Sequence, residues 1–284
     1  MRIVTATRCS CGRAVDILKA GRPVCGLEHP DGSVVHLLGG PYVTVGTASR
    51  EVPEGSKQLL AFVALRGRRV ERRLVAGTLW PLGDDERAAG NLRSALWRLR
   101  RAGINVVVAD KWSLALSAEV MVDLHVIERW ASRLIEGRGN EHDLVIPRSV
   151  ADALDLLPGF YDDWVLTERE RARQRILHAL EALSERLAAV GRFADAIEAA
   201  LLAISAEPLR ESAQRALIKA HIAEGNLTEA CRSYRAYDDL VYRELGIALS
   251  DEFAACLGIS EAQRIRCRPG GMPMPRVRQA AAVR

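Results

Sequence analysis

The stretch Glu86-Arg-Ala-Ala-Gly-Asn-Leu-Arg-Ser-Ala-Leu-Trp-Arg-Leu-Arg-Arg101 decides the fold. At about 100° per residue, Leu92, Ala95, Leu96 and Leu99 fall on one apolar stripe, made to meet a core. The opposite side carries Trp97, Arg101, Ser94, Arg87, Arg98 and Asn91, with Arg93 and Arg100 at its edge. Asp84, Asp85 and Glu86 stand at the start and arginines at the end, an arrangement the helix dipole favours. Gly103 ends the helix. A solvated helix face normally mixes acids with its arginines, and here none follows Glu86. Arg pairs bidentately with guanine O6 and N7, and Asn with adenine N6 and N7, so the face suits an anionic groove lined with base edges. Trp97 is too large and apolar for a plain solvated face. It either contacts DNA sugars and thymine methyls or packs against the hairpin that follows.

Working outward, Ser56–Arg66 and Glu71–Trp80 read as two further helices, stopped by Gly67 and Pro81. Before them, His36–Val45 reads as two short strands around Gly39-Gly40-Pro41. After the decisive helix, Asn105–Ala109 and Trp112–Leu116 form a hairpin joined by Asp110-Lys111. Strands, three helices and a hairpin make a winged helix-turn-helix over residues 35–122. Its wing places Lys111 beside a phosphate or in the minor groove. Arg68, Arg69, Arg72 and Arg73, around the start of the second helix, would contact phosphates and set register without reading sequence.

From Asp123 the pattern is helical almost throughout. Leu183, Ala189, Gly191, Phe193, Ala196 and Ile197 return 34 residues later as Leu217, Ala223, Gly225, Leu227, Ala230 and Cys231. That period, two helices and a glycine, is the tetratricopeptide signature. Small Ala196 and Ala230 let helices approach, Phe193 and Leu227 are expected to fill the pair interface, and Pro208 to open the next helix. Two copies are fewer than the three normally needed, so helices near 123–136 and 240–257 should complete the stack. The fold class is therefore mainly α with a small β component. The helical domain covers 123–260, with an irregular cysteine-containing leader at 1–34 and a basic disordered tail at 261–284.

Charge supports the division. Residues 1–125 hold 18 basic and 12 acidic side chains, residues 126–265 hold 17 and 24, and the last 19 residues hold five arginines and no acid. Such segregation points to a polyanion partner for one half only. No apolar run approaches the ~20 residues of a membrane span, and the N-terminus lacks an apolar signal core; a cytoplasmic, nucleoid-associated protein with no membrane partner is expected. In a reducing cytosol the six cysteines should be free thiols. Cys9, Cys11, Cys25 and His29 offer four candidate metal ligands, but with one tight pair in place of paired C-x2-C knuckles, and no metal is expected. The six histidines (29, 36, 125, 142, 178 and 221) lack metal spacing. Neither a nucleophile elbow nor a phosphate loop occurs, so neither enzyme activity nor a cofactor is expected.

At this point the sequence resembles the Streptomyces antibiotic regulatory protein (SARP) family. The resemblance is carried by Leu59–Gly67, Leu79-Trp-Pro81, Glu86–Arg101, Leu156-Leu-Pro-Gly-Phe-Tyr161 with Trp164, and the repeats. It implies a winged helix of the response-regulator output type joined to a bacterial transcriptional activator domain. It further implies binding to direct repeats upstream of promoters of secondary-metabolite clusters, two copies side by side, and recruitment of RNA polymerase holoenzyme including its sigma factor. The loop Trp80–Asp85, with Trp80, Leu82, Asp84 and Asp85, would face polymerase; the DNA-contacting set would be Arg87, Asn91, Arg93, Ser94, Trp97, Arg98, Arg101, Arg72, Arg73 and Lys111. A tetratricopeptide adaptor that binds only protein, or a repressor, are the alternatives.

Overall fold

A computed structural model describes residues 32–257. They form two compact units: one runs to Val126 and includes Leu156–Tyr161, and the other comprises Ile127–Asp155 and the chain from Asp162. Leu156–Tyr161, which the sequence pattern places in the helical domain, thus groups with the first unit.

In the first unit, β1 (Ser33–His36) and β2 (Tyr42–Val45) pair antiparallel through the Gly39-Gly40-Pro41 turn, and β3 (Ala48–Glu51) extends the meander. Helix α1 (Glu54–Arg66) follows, then β4 (Val70–Glu71), α2 (Arg72–Leu79), α3 (Asp85–Arg101) and the hairpin β5 (Val107–Ala109)–β6 (Ser113–Leu116). β7 (Met121–Val122) returns to pair parallel with β1. The sheets are ordered β3-β2-β1-β7 and β4-β6-β5.

Leu59 through Ala64 of α1 are all buried. A helix apolar on every side belongs in a core, and α1 packs against both α2 and α3. The stripe of α3 read from the sequence is the buried one: Leu92, Ala95, Leu96 and Leu99 join Val75, Leu79, Ile104 and Leu114. Each such leucine contributes about 1.5–3 kcal/mol through burial. The buried Ser56 hydroxyl donates to the Ala95 carbonyl at 2.9 Å, fixing α3 on α1. Gly67 ends α1 at φ +59°, a left-handed C-cap that glycine adopts without strain.

Asp123, 1% exposed, is the unit's main buried charge. Its carboxylate accepts the amides of Leu37 (2.9 Å), Leu38 (3.2 Å) and Leu124 (2.7 Å), with His36 Nδ1 at 3.6 Å. Amide donors offset the desolvation of a buried carboxylate. The same residue starts α4 (Asp123–Ile135), within which the first unit ends.

In the second unit, a single 3-10 turn (Glu141–Asp143) and α5 (Val150–Ala153) precede α6 (Asp163–Ala189), α7 (Phe193–Ala206), α8 (Glu211–Glu224), α9 (Leu227–Leu245) and α10 (Asp251–Cys256). Each of α6 to α9 packs on its sequence neighbour, which is the stacking the 34-residue period predicts. Ala196, Ala199, Ala200 and Ala203 of α7 are fully buried, so helix approach is indeed set by small residues. α10 closes the stack: Phe253 lies against Tyr234 and Tyr237, with centroids 6.0 and 5.5 Å away, and Ile218, Val241 and Leu257 complete the cluster.

Three expectations are corrected. Leu227 is 56% exposed and Phe193 half-buried; each opens its helix, where side chains lean back over the preceding turn and away from the pair interface. Pro208 lies in the turn before α8, and its carbonyl accepts from Gln214 Nε2 at 2.9 Å. Cys231 is disulfide-bonded; the free-thiol expectation came from compartment chemistry, which does not see cysteine placement. Cys9, Cys11, Cys25 and His29 lie outside the described residues, as do 261–284.

The segment after α4 is tied down by three arginines. Arg133 pairs with Asp143 (Nη2–Oδ1 2.6 Å), Arg186 donates to the Gly139 carbonyl (2.7 Å) and Arg192 to that of Leu144 (3.1 Å). Trp130 Nε1 donates to the Asp143 carbonyl at 3.0 Å.

Candidate nucleic-acid interface

The interface is built on α2, α3 and the β5–β6 hairpin. Asp84 caps α3, its Oδ1 accepting from the Arg87 amide at 2.7 Å. The capped, acidic first turn and the arginines of the last turn both suit the dipole. α3 therefore presents its side chains from a fixed scaffold, its other face locked by core packing and by Ser56.

On its outer face Arg87, Arg93, Ser94, Trp97, Arg100 and Arg101 are exposed. Trp97 is 57% exposed, and the Arg101 guanidinium lies over its ring, 5.1 Å from the centroid. Asn91 and Arg98 are half-buried. Arg98 Nη2 donates to the Gly55 carbonyl at 3.1 Å, reaching back to the start of α1. The structure thus separates two residues that the helical wheel grouped with the exposed set, while Arg100, placed at the edge, is exposed.

Between α2 and α3 runs a cleft of about 540 Å³ including the solvent open to it. Ala76, Gly77, Ala88, Ala89 and Leu92 floor it, and Arg72, Arg73 and Arg93 line it. Asp85 also lines it, 3.5 Å from Arg73. Both partners are almost fully exposed, and such pairs contribute little. Among the described residues Arg87, Arg93, Arg100 and Arg101 form no salt bridge, so the outer face has cations to offer an anion.

The wing turn is held by Asp110. Its Oδ1 accepts the amides of Trp112 and Ser113, both at 2.7 Å, and its Oδ2 accepts the Ser113 hydroxyl at 2.9 Å. Arg69 forms an ion pair with it, and Arg72 donates to its carbonyl at 3.2 Å. The bonds to the carboxylate, the Trp112 amide's first, then those of Ser113 and the Arg69 charge, hold the Asp110 carboxyl below its ordinary range. Arg72 N donates to the Trp112 carbonyl at 2.9 Å, joining the wing to α2. Lys111 is exposed, with its ammonium 4.8 Å from the centroid of the Trp112 ring. Trp112, 73% exposed, was missed because the sequence reading of the turn followed charge.

In the loop between α2 and α3, Trp80 is half-buried, Leu82 is 91% exposed, and Asp84 is committed to capping. No helix among the described residues is long and apolar enough to cross a membrane.

Residues 148–256 match the family model for the bacterial transcriptional activator domain. No curated protein matches the chain. Among solved structures it is similar to Mycobacterium tuberculosis EmbR in complex with a low-affinity phosphopeptide, at 20% identity and a TM-score of 0.59. That likeness covers 84% of this chain but 66% of EmbR, so the chain spans just under two-thirds of that relative, and what is shared is the fold. The part of the chain that follows the winged helix thus matches a bacterial transcriptional activator domain.

Proposed function

We propose that the chain activates transcription by seating α3 in the major groove of promoter DNA and recruiting RNA polymerase. The observation that carries the proposal is the outer face of α3: Arg87, Arg93, Arg100 and Arg101 are exposed and form no salt bridge among the described residues, beside an exposed Trp97, on a helix fixed by its opposite face. Unpaired cations near one another repel, and a phosphate-lined groove relieves that repulsion while releasing counterions. Arg72, Arg73 and Lys111 stand on flanking elements, where phosphate contacts would set register.

The bacterial transcriptional activator domain match, with the resemblance of the sequence to the Streptomyces antibiotic regulatory protein family, supports the remaining parts of the proposal: direct repeats occupied by two copies side by side, contact with the sigma factor and other polymerase subunits through Trp80, Leu82, Asp84 and Asp85, and control of a secondary-metabolite cluster. Leu82 supports the polymerase surface independently, because a leucine this exposed contributes nothing to the core.

A salt-dependent titration tests DNA binding. Duplexes from promoters flanking the protein's own gene should bind with an affinity that falls steeply as salt rises. If no promoter fragment gives a salt-sensitive shift, the helical repeats remain as a protein-binding adaptor and the DNA proposal is lost.

A further inference from the structure

The cleft between α2 and α3 holds a residue that the fold leaves unexplained. Gly77 lies inside α2 with ordinary helical backbone, where glycine is a poor helix former. No positive φ requires it. No close approach requires it either, since among the described residues a Cβ there would meet nothing within 4 Å. What the missing side chain leaves is room in the cleft that Gly77 lines. That room is about 170 Å³, close to the engineered cavity of ~150 Å³ that accepts benzene. Buried Ala88 and Leu92 form its floor. Arg72, Arg73 and Arg93 line it against one acid, Asp85, whose pair with Arg73 is long and exposed. Arg72 Nη1 donates to the Asp110 carbonyl at 3.2 Å, which steadies the guanidinium without neutralising its charge.

An apolar floor with a few convergent charged groups is the layout of a small-molecule site, and here the charges are all but one cationic. Arginine takes a carboxylate bidentately and stacks on aromatic faces. A DNA phosphate would use the same cations and gain nothing from the floor. We propose that the cleft binds a small aromatic carboxylate, with its ring on Ala88 and Leu92 beside Gly77 and its carboxylate among Arg72, Arg73 and Arg93. Bound there, the ligand occupies arginines that phosphates need, so it and promoter DNA exclude each other and the ligand acts as a releasing signal. That consequence rests on the DNA-binding proposal above, whereas the site itself does not.

Calorimetry on the full chain tests the site with naphthoate as the probe, its amide as the neutral counterpart, and acetate as the charge without an apolar body. Naphthoate should saturate a single site per chain. The amide, which lacks the charge-assisted bonds, should bind at least ~10-fold more weakly, and so should acetate, which buries no ring. Arg93→Ala should cost naphthoate ~10-fold as well. Gly77→Leu should melt at or above the wild type, because leucine is the better helix former. It should lose naphthoate while keeping salt-sensitive DNA binding. Saturating naphthoate should weaken wild-type binding to a promoter duplex by ~10-fold or more and leave Gly77→Leu unaffected. If naphthoate binds no tighter than its amide and acetate, or Gly77→Leu binds it like the wild type, the site is overturned. If Gly77→Leu folds and loses promoter binding, the glycine makes room for DNA and the proposal falls. If naphthoate binds and DNA affinity stays unchanged, the exclusion is overturned. A wild type without salt-sensitive DNA binding would defeat the DNA proposal alone, because the calorimetric result does not depend on it.

Discussion

Arg98 donates to the carbonyl of Gly55 at 3.1 Å, so close that a Cβ on Gly55 would stand 2.9 Å from the guanidinium. The contact joins the last turn of α3 to the first turn of α1 and gives Arg98 a bond within the winged helix. Arg98→Ala should destabilise the first unit by about 1 kcal/mol, the worth of one hydrogen bond plus its packed stem. Gly55→Ala should displace the guanidinium, and the double variant should cost less than the two singles together. An unchanged melting temperature, with loss confined to specific DNA, would return Arg98 to the base-reading set.

Arg93 and Arg101 behave differently, because among the described residues neither is tied to another element by a salt bridge. Replacing either with alanine should leave melting unchanged and weaken DNA binding. For a phosphate contact, titrations would show the salt slope fall by about one on every sequence. For a base contact, about 1–3 kcal/mol is lost on the specific site alone.

Asp84 and Leu82 separate stability from recruitment within one loop. Asp84→Ala removes the cap of α3 and should lower stability by about 1 kcal/mol, with DNA affinity following, while Asp84→Ser restores both. Leu82→Ala should spare folding and DNA binding and reduce transcription in a reconstituted assay. Full transcription by that variant would remove Leu82 from the polymerase surface.

The wing should have its own pH dependence. The depressed Asp110 carboxyl is fully ionised above its unfolded value near pH 4, so its support of the turn is complete there and is lost as pH falls through the lowered folded value. Hydrogen exchange of the Trp112 and Ser113 amides should be slow at neutral pH and fast in Asp110→Ala. Equal protection in the variant would show that strand pairing alone holds the tip.

Asp143 sets a comparable threshold in the helical unit. Arg133, bonded through Nε and Nη2, and the Asn140 amide lower its carboxyl. Stability from this depressed group is present above about pH 4 and disappears as pH falls through the folded value. Asp143→Asn should destabilise the unit by about 1–2 kcal/mol at neutral pH, discounted because Arg133 keeps partial contact with water. An acid-unfolding midpoint unmoved by the substitution would contradict this.

Local pattern made much of the molecule legible. Periodicity located α1, α2 and α3 within about two residues, and spacing located the repeats, because both signals are written along a continuous segment. β4 and β7 were invisible, being two-residue strands that exist only through pairing with β6 and β1. β3 was invisible for another reason: Ala48–Glu51 is exposed throughout and carries no alternation. Asp123 looked like an ordinary acid in a first helical turn, and only the arrival of β1 makes it a buried anchor. The same limit shaped the interface. The wheel found the outward positions of Arg87, Ser94, Trp97 and Arg101, which depend on α3 alone. It could not foresee Gly55 beside Arg98.

The bond from the Leu37 amide to Asp123 has a consequence for how the protein is made. β1 is among the first described segments to leave the ribosome, but its second neighbour, β7, and its buried carboxylate follow 80 to 90 residues later. Until they emerge, β1 presents an open edge and the amides of Leu37 and Leu38 have no protein acceptor. The winged helix closes late in its own synthesis, as is usual where distant segments must meet. A fragment ending at the wing, at Leu116, would lack both the strand and the acid, and would be prone to pair edge to edge with its copies. One ending after Val126 would carry everything the first sheet requires.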